Sequence, residues 1–318
     1  MRPRARSSTG GLGGLSSERI AHLLLALLLA ATLLVWWQAW QSLRSHLSVT
    51  FVDVGEGDCI IVRSPTGRSL LIDGGGRGNN VAADETGKWL VLPALYRQGV
   101  RRLDAIIATH PHDDHVGGLA QVIEQLPVGM VLNGGGKYSS QPYDNFLAAV
   151  KRRRVSLLPA RPGQVFNLGG GSRAEVLYPV APLSGTEEDI NNNSVAIRLS
   201  YGRESFLFLA DVQQEGEAAL LAEYPGLNAT VIKVAHHGSM DATSAELLQA
   251  VRPKWAVISA GRSNPFGHPH GETLLRLKEA GVRVFRTDQL GTIEITSDGR
   301  TLQAEWEQEG RLLHAEIK

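Results

Sequence analysis

The segment His110-Pro111-His112-Asp113-Asp114-His115 carries the strongest chemical signal in this sequence of 318 residues. It follows the apolar run 103–109 and precedes Val116-Gly117-Gly118. An apolar run of this length predicts a buried strand, and paired glycines predict a turn into the next helix. Because side chains alternate along a strand, His110 and His112 can face the same way. Imidazoles and a carboxylate crowded at a strand end indicate a hydrolytic site that holds two metal ions.

Other motifs occur with this segment in one order along the chain. They are TFVDVGEGD at 50–58, LIDGG at 71–75, NNNS at 191–194, KVAHHGS at 233–239 and GHP at 267–269. The HxHxDH segment resembles the hallmark of the metallo-β-lactamase fold hydrolases. The ordered series is similar to the extracytoplasmic metallo-β-lactamase domain of the ComEC competence proteins, over about residues 47–305. The resemblance implies a stand-alone form of that domain, without the multi-helix channel domain.

The rest of the chain alternates short apolar strands with helical segments. Strands are predicted at 48–54, 59–63, 69–73, 104–109, 195–200, 205–210, 230–235, 255–260, 283–286 and 292–296. Helices are predicted at 88–99, 116–125, 143–152, 213–223, 243–250 and 271–280. Hairpin-like pairs at both ends, with strand–helix alternation between them, favour an α/β (α+β) fold: two packed sheets with helices outside, an αββα sandwich.

The N-terminus predicts a membrane anchor. Arginines precede an apolar stretch of the roughly 20 residues that a helix needs to cross a bilayer. Their positive charge favours a single-pass helix with a cytoplasmic N-terminus and an extracytoplasmic catalytic domain. A cleaved signal peptide is the alternative, although the bulky end Val35–Trp40 offers no A-x-A site. The expected organisation is a basic, glycine-rich tail at 1–19, an anchor at 20–41, a linker at 42–47, the hydrolase domain at 48–305 and a C-terminal extension at 306–318.

Charge is distributed unevenly along the chain. Residues 1–46 hold five of the 32 Lys and Arg and one of the 32 Asp and Glu, so the remainder carries 27 against 31, a net charge of −4. No broad cationic surface is therefore predicted. The basic run Lys151–Arg154 and the cluster Arg97/Arg101/Arg102 could attract phosphate, although a solvated helix end is the simpler interpretation of the run. Cys59 is the only cysteine, which excludes an intrachain disulfide.

The resemblance implies a ligand set for two divalent ions, Zn²⁺ or Mn²⁺. The first ion would be held by His110, His112 and Asp211, and the second by Asp114, His115, Asp211 and His236. Without the resemblance, the preferred role of Asp211 would be the N-cap of the helix predicted at 213–223. His236 and His237 could exchange roles, but if the strand persists they point to opposite sides, and His236 is preferred as the ligand.

The sequence departs from many enzymes of this fold, which supply a further histidine to the first metal. No histidine occurs between His115 and His236, and the run Asn191–Ser194 stands in that place. An oxygen of Asn193 or a water molecule would complete the ligand shell, although such a run is otherwise simply a loop. Fewer nitrogen and more oxygen ligands shift the preference from zinc toward manganese.

Further residues are expected to support the metal ligands or contact the substrate. An Asp before Gly is usually a turn residue, but the resemblance implies that Asp73 orients a ligand from behind, and Asp58 could act similarly. His268 would hold a phosphate oxygen or protonate the leaving oxygen. The predicted catalytic residues are therefore Asp114, His237 and His268, with Ser239 and Asn264 as weaker phosphate contacts.

The expected reaction is metal-assisted hydrolysis of a phosphodiester, with DNA as the substrate that the resemblance implies in a competence context. An alternative is hydrolysis of a small ester, a lactone or a cell-envelope phosphodiester on the same metals. A cationic groove beside the metals would favour nucleic acid, and a narrow apolar pocket would favour a small ester. A third hypothesis is a non-catalytic, metal-stabilised partner of a separate competence channel protein. The expected partners are thus DNA, the membrane and such a channel.

Overall fold

The computed structural model describes residues 17–44, 46–76, 85–308 and 311–317. The chain divides into two compact units, residues 1–44 and 45–318. Most of the predicted tail at 1–19 lies outside the described residues. The first unit contains helix α1 (Ser17–Arg44). Its segment Glu18–Trp37 is 20 residues long, apolar and exposed, so α1 could span a membrane by length and composition.

The second unit holds sixteen strands among the described residues. They are β1 (Leu47–Phe51), β2 (Ile60–Arg63), β3 (Ser69–Ile72), β4 (Ala105–Ala108), β5 (Met130–Asn133), β6 (Ser156–Pro159), β7 (Val165–Gly169), β8 (Ser172–Tyr178), β9 (Ala196–Tyr201), β10 (Glu204–Phe208), β11 (Val231–Lys233), β12 (Trp255–Ile258), β13 (Arg283–Arg286), β14 (Ile293–Ser297), β15 (Leu302–Gln308) and β16 (Arg311–Ile317).

The helices connect these strands. They are α2 (Leu92–Arg97), α3 (Asp113–Val116), α4 (Leu119–Gln125), α5 (Gln141–Arg153), α6 (Asp189–Asn192), α7 (Gln214–Glu223), α8 (Ala245–Val251), α9 (Gly271–Glu279) and α10 (Thr287–Leu290). A π-helical turn, Gly87–Val91, leads into α2, and a 3₁₀ turn, Ala235–Gly238, follows β11.

The strands form two mixed sheets. The first has the order β16-β15-β14-β1-β2-β3-β4-β5-β6, and the second has the order β13-β12-β11-β10-β9-β8-β7. In the first sheet β3 to β6 run parallel, and in the second β10 to β13 do so; the other pairs are antiparallel. The region predicted as a C-terminal extension contains the end of β15 and all of β16, which pair antiparallel at the edge of the first sheet.

Alternation along the strands separates the core into three layers. In β4, Ala105 and Ile107 face the other sheet, whereas Ile106 and Ala108 pack against helices. The layer between the sheets joins side chains of both, such as Phe51 with Phe208, whose ring centroids lie 6.2 Å apart. A second layer packs the first sheet on α2, α4 and α5, and a third packs the second sheet on α7, α8 and α9. This arrangement confirms the predicted αββα sandwich.

Candidate metal centre

The HxHxDH segment lies where β4 ends and α3 begins. His110 follows the strand directly after Thr109, and His112 has the extended backbone of a residue preceding a helix (φ −61°, ψ 147°). Asp114 and His115 then fall in the single turn of α3. The strand end and the helical turn therefore bring imidazoles and a carboxylate to one place.

Four side chains from three segments meet there. The ligand atoms of Asp114, His115, Asp211 and His237 all lie within 4.8 Å of one another. His115 Nε2 is 3.2 Å from Asp211 Oδ2, and His237 Nε2 is 3.2 Å from Asp114 Oδ2. All but Asp114 are buried. We refer to these four residues as the acid–histidine cluster.

His110 and His112 adjoin this cluster. His110 Nε2 lies 3.1 Å from His112 Nδ1 and 3.8 Å from Asp211 Oδ2. Burial lowers the pKa of His110 well below its ordinary value, so its ring is neutral, the form that binds metals. The carboxylate of Asp211 is thus shared between the acid–histidine cluster and this histidine pair.

The polar atoms of the cluster suit a divalent cation. Among the described residues, His115 Nε2, His237 Nε2 and Asp211 Oδ1 are buried without a hydrogen-bond partner. An unpaired buried polar atom costs about 1–3 kcal/mol, so three together indicate a missing ligand. Burial lowers the pKa of His115, but the Asp211 and Asp114 carboxylates outweigh burial and raise it well above its ordinary value. These carboxylates thus attract a positive charge, and two carboxylates with two imidazoles form a ligand set for zinc or manganese.

Asp73 holds one ligand from behind. Its backbone has a φ of 57°, in the left-handed region, at the turn after β3. Its carboxylate accepts hydrogen bonds from the Thr109 amide at 2.8 Å, from the Thr109 hydroxyl at 2.7 Å and from His115 Nδ1 at 2.8 Å. These contacts orient the His115 ring so that Nε2 faces Asp211.

Lys233 is a buried residue to which sequence reasoning gave no role. Its ammonium contacts Asp58 Oδ2, donates to the Ala210 carbonyl at 3.1 Å and lies 3.9 Å from Asp211 Oδ1. Asp58 also lies 3.7 Å from His237 Nδ1. The lysine therefore neutralises the carboxylate beneath the cluster. A charged residue inside an apolar strand was the signal that could have identified it.

The turn after β11 decides the geometry of His236 and His237. The strand ends at Lys233 rather than at 235, and both histidines adopt left-handed backbone angles, with φ of 47° and 54°. Strand alternation therefore does not apply to them. His237 Nδ1 donates to the Ser259 carbonyl at 3.0 Å, which leaves Nε2 toward the acid–histidine cluster.

His236 is more peripheral than its neighbour. Its Nε2 lies 3.9 Å from Asp211 Oδ2, and its side chain is 21% exposed, against 2% for His237. Its Nδ1 lies 3.4 Å from Gln213 Nε2 and 3.7 Å from Asp241 Oδ1. This geometry favours His237 over His236 as a ligand, the reverse of the preference drawn from strand alternation.

The asparagine run lies against the end of β4, since the Val195 amide donates to the Thr109 carbonyl. The Asn193 amide is engaged elsewhere: it accepts from the Leu183 amide and donates to the carbonyls of Leu183 and Asp189. Among the described residues, Asn191 Oδ1, in contrast, is buried without a partner, and so is Ser194 Oγ. The free amide oxygen of this run therefore belongs to Asn191, and its free hydroxyl to Ser194.

The loop that carries His268 closes the other side. The His268 ring lies 5.5 Å from the His236 ring and 6.1 Å from the His237 ring, between centroids. The Asn264 side chain accepts from the His268 amide and donates to the carbonyls of His268 and Gly261. Asn264 thus shapes the loop. Ser239, predicted as a phosphate contact, is only 6% exposed.

A cleft of about 380 Å³ opens over the metal centre. Its walls include three acidic side chains and two aromatic rings, but no Lys or Arg among the described lining residues. They are Glu56, His112, Asp113, Asp114, Tyr138, Gly261, Ser263, Asn264, Pro265 and Phe266. The cleft is thus neither the cationic groove nor the narrow apolar pocket that would separate the candidate substrates.

The predicted basic run lies at the end of α5. Lys151 to Arg154 are exposed, and Arg152 pairs with Glu124 at 2.8 Å. None of these residues lines the cleft. The run therefore has the surroundings of a solvated helix end.

Comparison with known proteins agrees with this geometry. Residues 52–262 match the metallo-beta-lactamase superfamily. The chain is 32% identical to ComE operon protein 3 of Bacillus subtilis (strain 168), over 79% of this chain and 33% of that protein. It is 31% identical to competence protein ComA of Neisseria gonorrhoeae, over 79% of this chain and 32% of that protein. It is 28% identical to recombination protein 2 of Haemophilus influenzae, over 85% of this chain and 31% of that protein.

This chain therefore spans about a third of the length of these relatives. The family match at residues 52–262 includes all four residues of the acid–histidine cluster. The ordered motifs, the αββα sandwich and the family match agree, and the chain belongs to the metallo-beta-lactamase superfamily.

Proposed function

We propose that this protein is a metal-dependent phosphodiesterase that cleaves DNA. The observation that carries the proposal is the acid–histidine cluster, which contains buried polar atoms without hydrogen-bond partners among the described residues. The family to which the chain belongs consists generally of metal-dependent hydrolases. Two divalent ions, manganese or zinc, would activate water and stabilise charge on the attacking and leaving oxygens. No Ser or Cys nucleophile is needed for such a reaction.

We assign the ligands in two groups. One ion would be held by the acid–histidine cluster, with His237 in place of His236. The other would be held by His110, His112 and Asp211, and the free oxygen of Asn191 is the best candidate to complete its shell. His268, beside the cluster, would hold a phosphate oxygen or protonate the leaving oxygen.

DNA is proposed as the substrate because one of the similar proteins is named as a competence protein and another as a recombination protein. The aromatic rings of Tyr138 and Phe266, on the walls of the cleft, offer faces on which bases could stack. Because the described walls of the cleft carry acidic side chains and no Lys or Arg, the phosphate of the substrate would be bound by the metal ions. A small ester, a lactone or an envelope phosphodiester is the alternative, and a catalytically silent partner of a channel protein is a weaker one.

We further propose that α1 tethers the enzyme to the membrane. The arginines before α1 favour a cytoplasmic N-terminus. Trp36 and Trp37, which are 72% and 57% exposed, suit the opposite interface as aromatic anchors. The catalytic unit would then lie outside the cytoplasm, where it could meet incoming DNA or a channel protein.

The test uses the full-length chain in detergent with labelled single- and double-stranded DNA, and with manganese or zinc. Asp114→Ala removes one ligand, and Arg152→Ala, on the exposed end of α5, is the matched control. Metal-dependent cleavage that Asp114→Ala abolishes and Arg152→Ala retains supports the proposal. Turnover of bis-p-nitrophenyl phosphate or a lactone without any cleavage of DNA would refute DNA as the substrate and leave the small-substrate hydrolase.

A further inference from the structure

A glutamate outside the predicted site residues contacts His268. Glu56 Oε1 lies 2.7 Å from His268 Nδ1, and Glu56 Oε2 accepts a hydrogen bond from the Gly261 amide at 2.8 Å. The Glu56 side chain is 10% exposed and the His268 side chain 7%. Both carboxylate oxygens are therefore engaged at a site largely shielded from water, where such hydrogen bonds are strong.

The loop around His268 holds the ring in place from other directions as well. The backbone of His268 is bonded on both sides by Asn264, and its ring stacks on Phe266 with centroids 5.6 Å apart and an interplanar angle of 21°. With Nδ1 bonded to Glu56, Nε2 is the ring nitrogen without a hydrogen-bond partner among the described residues. Glu56 and Phe266 line the same cleft as Asp114. The His268 ring between them lies 6.1 Å from the His237 ring, between centroids, and is therefore beside the acid–histidine cluster.

We propose that Glu56 is a positioning residue that fixes His268 with Nδ1–H toward the carboxylate and Nε2 toward the substrate. The inference rests on the proposed function and assigns His268 to the leaving group. Water forms the new bond to phosphorus and loses a proton to solvent. As the bond between phosphorus and the leaving oxygen breaks, its electron pair stays on that oxygen, which takes the proton from Nε2 of the His268 imidazolium. The neutral imidazole keeps Nδ1–H on Glu56 and regains a proton from solvent. Among the described residues, the hydrogen-bond partners of the Glu56 carboxylate are the His268 ring and the Gly261 amide, so an effect on the reaction passes through His268 and an effect on the loop through Gly261.

The test compares two phosphodiesters that differ in the leaving group, using the full-length chain and Glu56→Gln. An oligonucleotide leaves as an alkoxide and needs a proton, whereas thymidine 5′-p-nitrophenyl phosphate leaves as a stable phenolate. General acid catalysis contributes about 10²–10⁴-fold. Glu56→Gln is expected to lower kcat on the oligonucleotide by about 10²-fold and to change turnover of the phenyl ester by less than about threefold. His268→Ala should show the same pattern, and the double variant should lose no more than His268→Ala.

Equal losses on both substrates would mean that Glu56 merely supports the loop, and would overturn the proposal, as would no loss on either. Glu294→Gln is the matched control, because Glu294 bonds Ser48 and Gln98 and touches no cluster residue. If the wild-type protein does not cleave the oligonucleotide, DNA is refuted as the substrate. This result concerns the wild-type protein and is therefore distinguishable from an effect of Glu56→Gln.

A second measurement does not depend on activity. ¹⁵N spectra of the histidine side chains, assigned with His268→Ala and recorded at a pH at which the ring is neutral, report which ring nitrogen of His268 keeps its proton. The wild-type protein is expected to show the Nδ1–H form. In Glu56→Gln the amide can donate to Nδ1, so the signal is expected to move toward the Nε2–H form. The same tautomer in both proteins would overturn the proposal, whatever the substrate is.

Discussion

Replacing Lys233 by Met should destabilise the catalytic unit far more than a surface substitution would. Lys233 is fully buried, and its ammonium contacts the buried Asp58 carboxylate. It also donates to the Ala210 carbonyl and lies 3.9 Å from Asp211. Met keeps much of the length of the side chain but removes its charge. The change therefore leaves a buried carboxylate without its counterion.

The magnitude follows from these contacts. Removing one partner of a buried ion pair costs about 3–5 kcal/mol. For a domain of roughly 150–250 residues, 1 kcal/mol lowers Tm by about 2–4 °C, so the expected decrease for Lys233→Met is roughly 6–20 °C. Replacing Asp58 by Leu in the same chain removes the unpaired charge as well. The double variant should recover about half of the loss and retain a deficit of about 1–3 kcal/mol, because the Ala210 carbonyl still lacks its donor.

The assay is thermal unfolding of the full-length chain in detergent, followed by near-ultraviolet circular dichroism. A chelator is present throughout, so that metal binding does not contribute to the stability. Lys151→Met, at the exposed end of α5, controls for the loss of a lysine. Two results would refute the assignment of Lys233 as the counterion of Asp58. One is a Tm of Lys233→Met that is less than about 2 °C below the wild-type value, and the other is a double variant that is no more stable than Lys233→Met.

Four further substitutions test how the proposed ligands are held. Asp73→Asn should weaken metal affinity by about 10–100-fold in a calorimetric titration, because the amide no longer orients the ligand imidazole as an anion does; unchanged affinity would contradict that role. Gly57→Ala should lower both Tm and metal affinity, since Gly57 has a φ of +125° and an added Cβ would lie 2.1 Å from the Asp114 carbonyl oxygen; wild-type values would show that the loop can move away. Asn191→Ala should weaken binding of one of the two ions, whereas Asn193→Ala, which loses only loop contacts, should affect Tm; the opposite pattern would restore Asn193 as the ligand.

Most of the sandwich could be predicted because its central strands are apolar runs. β4 and β10 are buried on both faces and therefore read as continuous apolar segments. Strands β6, β7 and β8, which lie at or next to a sheet edge, were missed for physical reasons. All four residues of β6 are exposed and the strand ends in a proline, while β7 and β8 are joined through Gly169-Gly170-Gly171, which indicates a loop. Edge strands bury too little side chain to impose the pattern on which such predictions depend.

The site divides in a similar way. Side chains at strand ends, such as His110, could be predicted from the local pattern. The role proposed for Asp211 needed the resemblance as well, because its position alone suits an N-cap. Glu56 could not, since its partner lies 212 residues further along the chain and only the fold brings them together. The choice between His236 and His237 depended on where β11 ends. The preference for His236 assumed that side chains alternate along a strand up to residue 235, but β11 ends at Lys233 and a 3₁₀ turn follows.

The most direct test of the metal centre is the metal content of the full-length chain after equilibration with manganese or zinc and removal of free ions. Inductively coupled plasma mass spectrometry should find about two ions per wild-type chain. His237→Ala should lose one of them, and its neighbour variant His236→Ala should keep both. A wild-type chain that retains no metal would contradict the metal centre, and a chain that loses metal with His236→Ala but not with His237→Ala would contradict the ligand set.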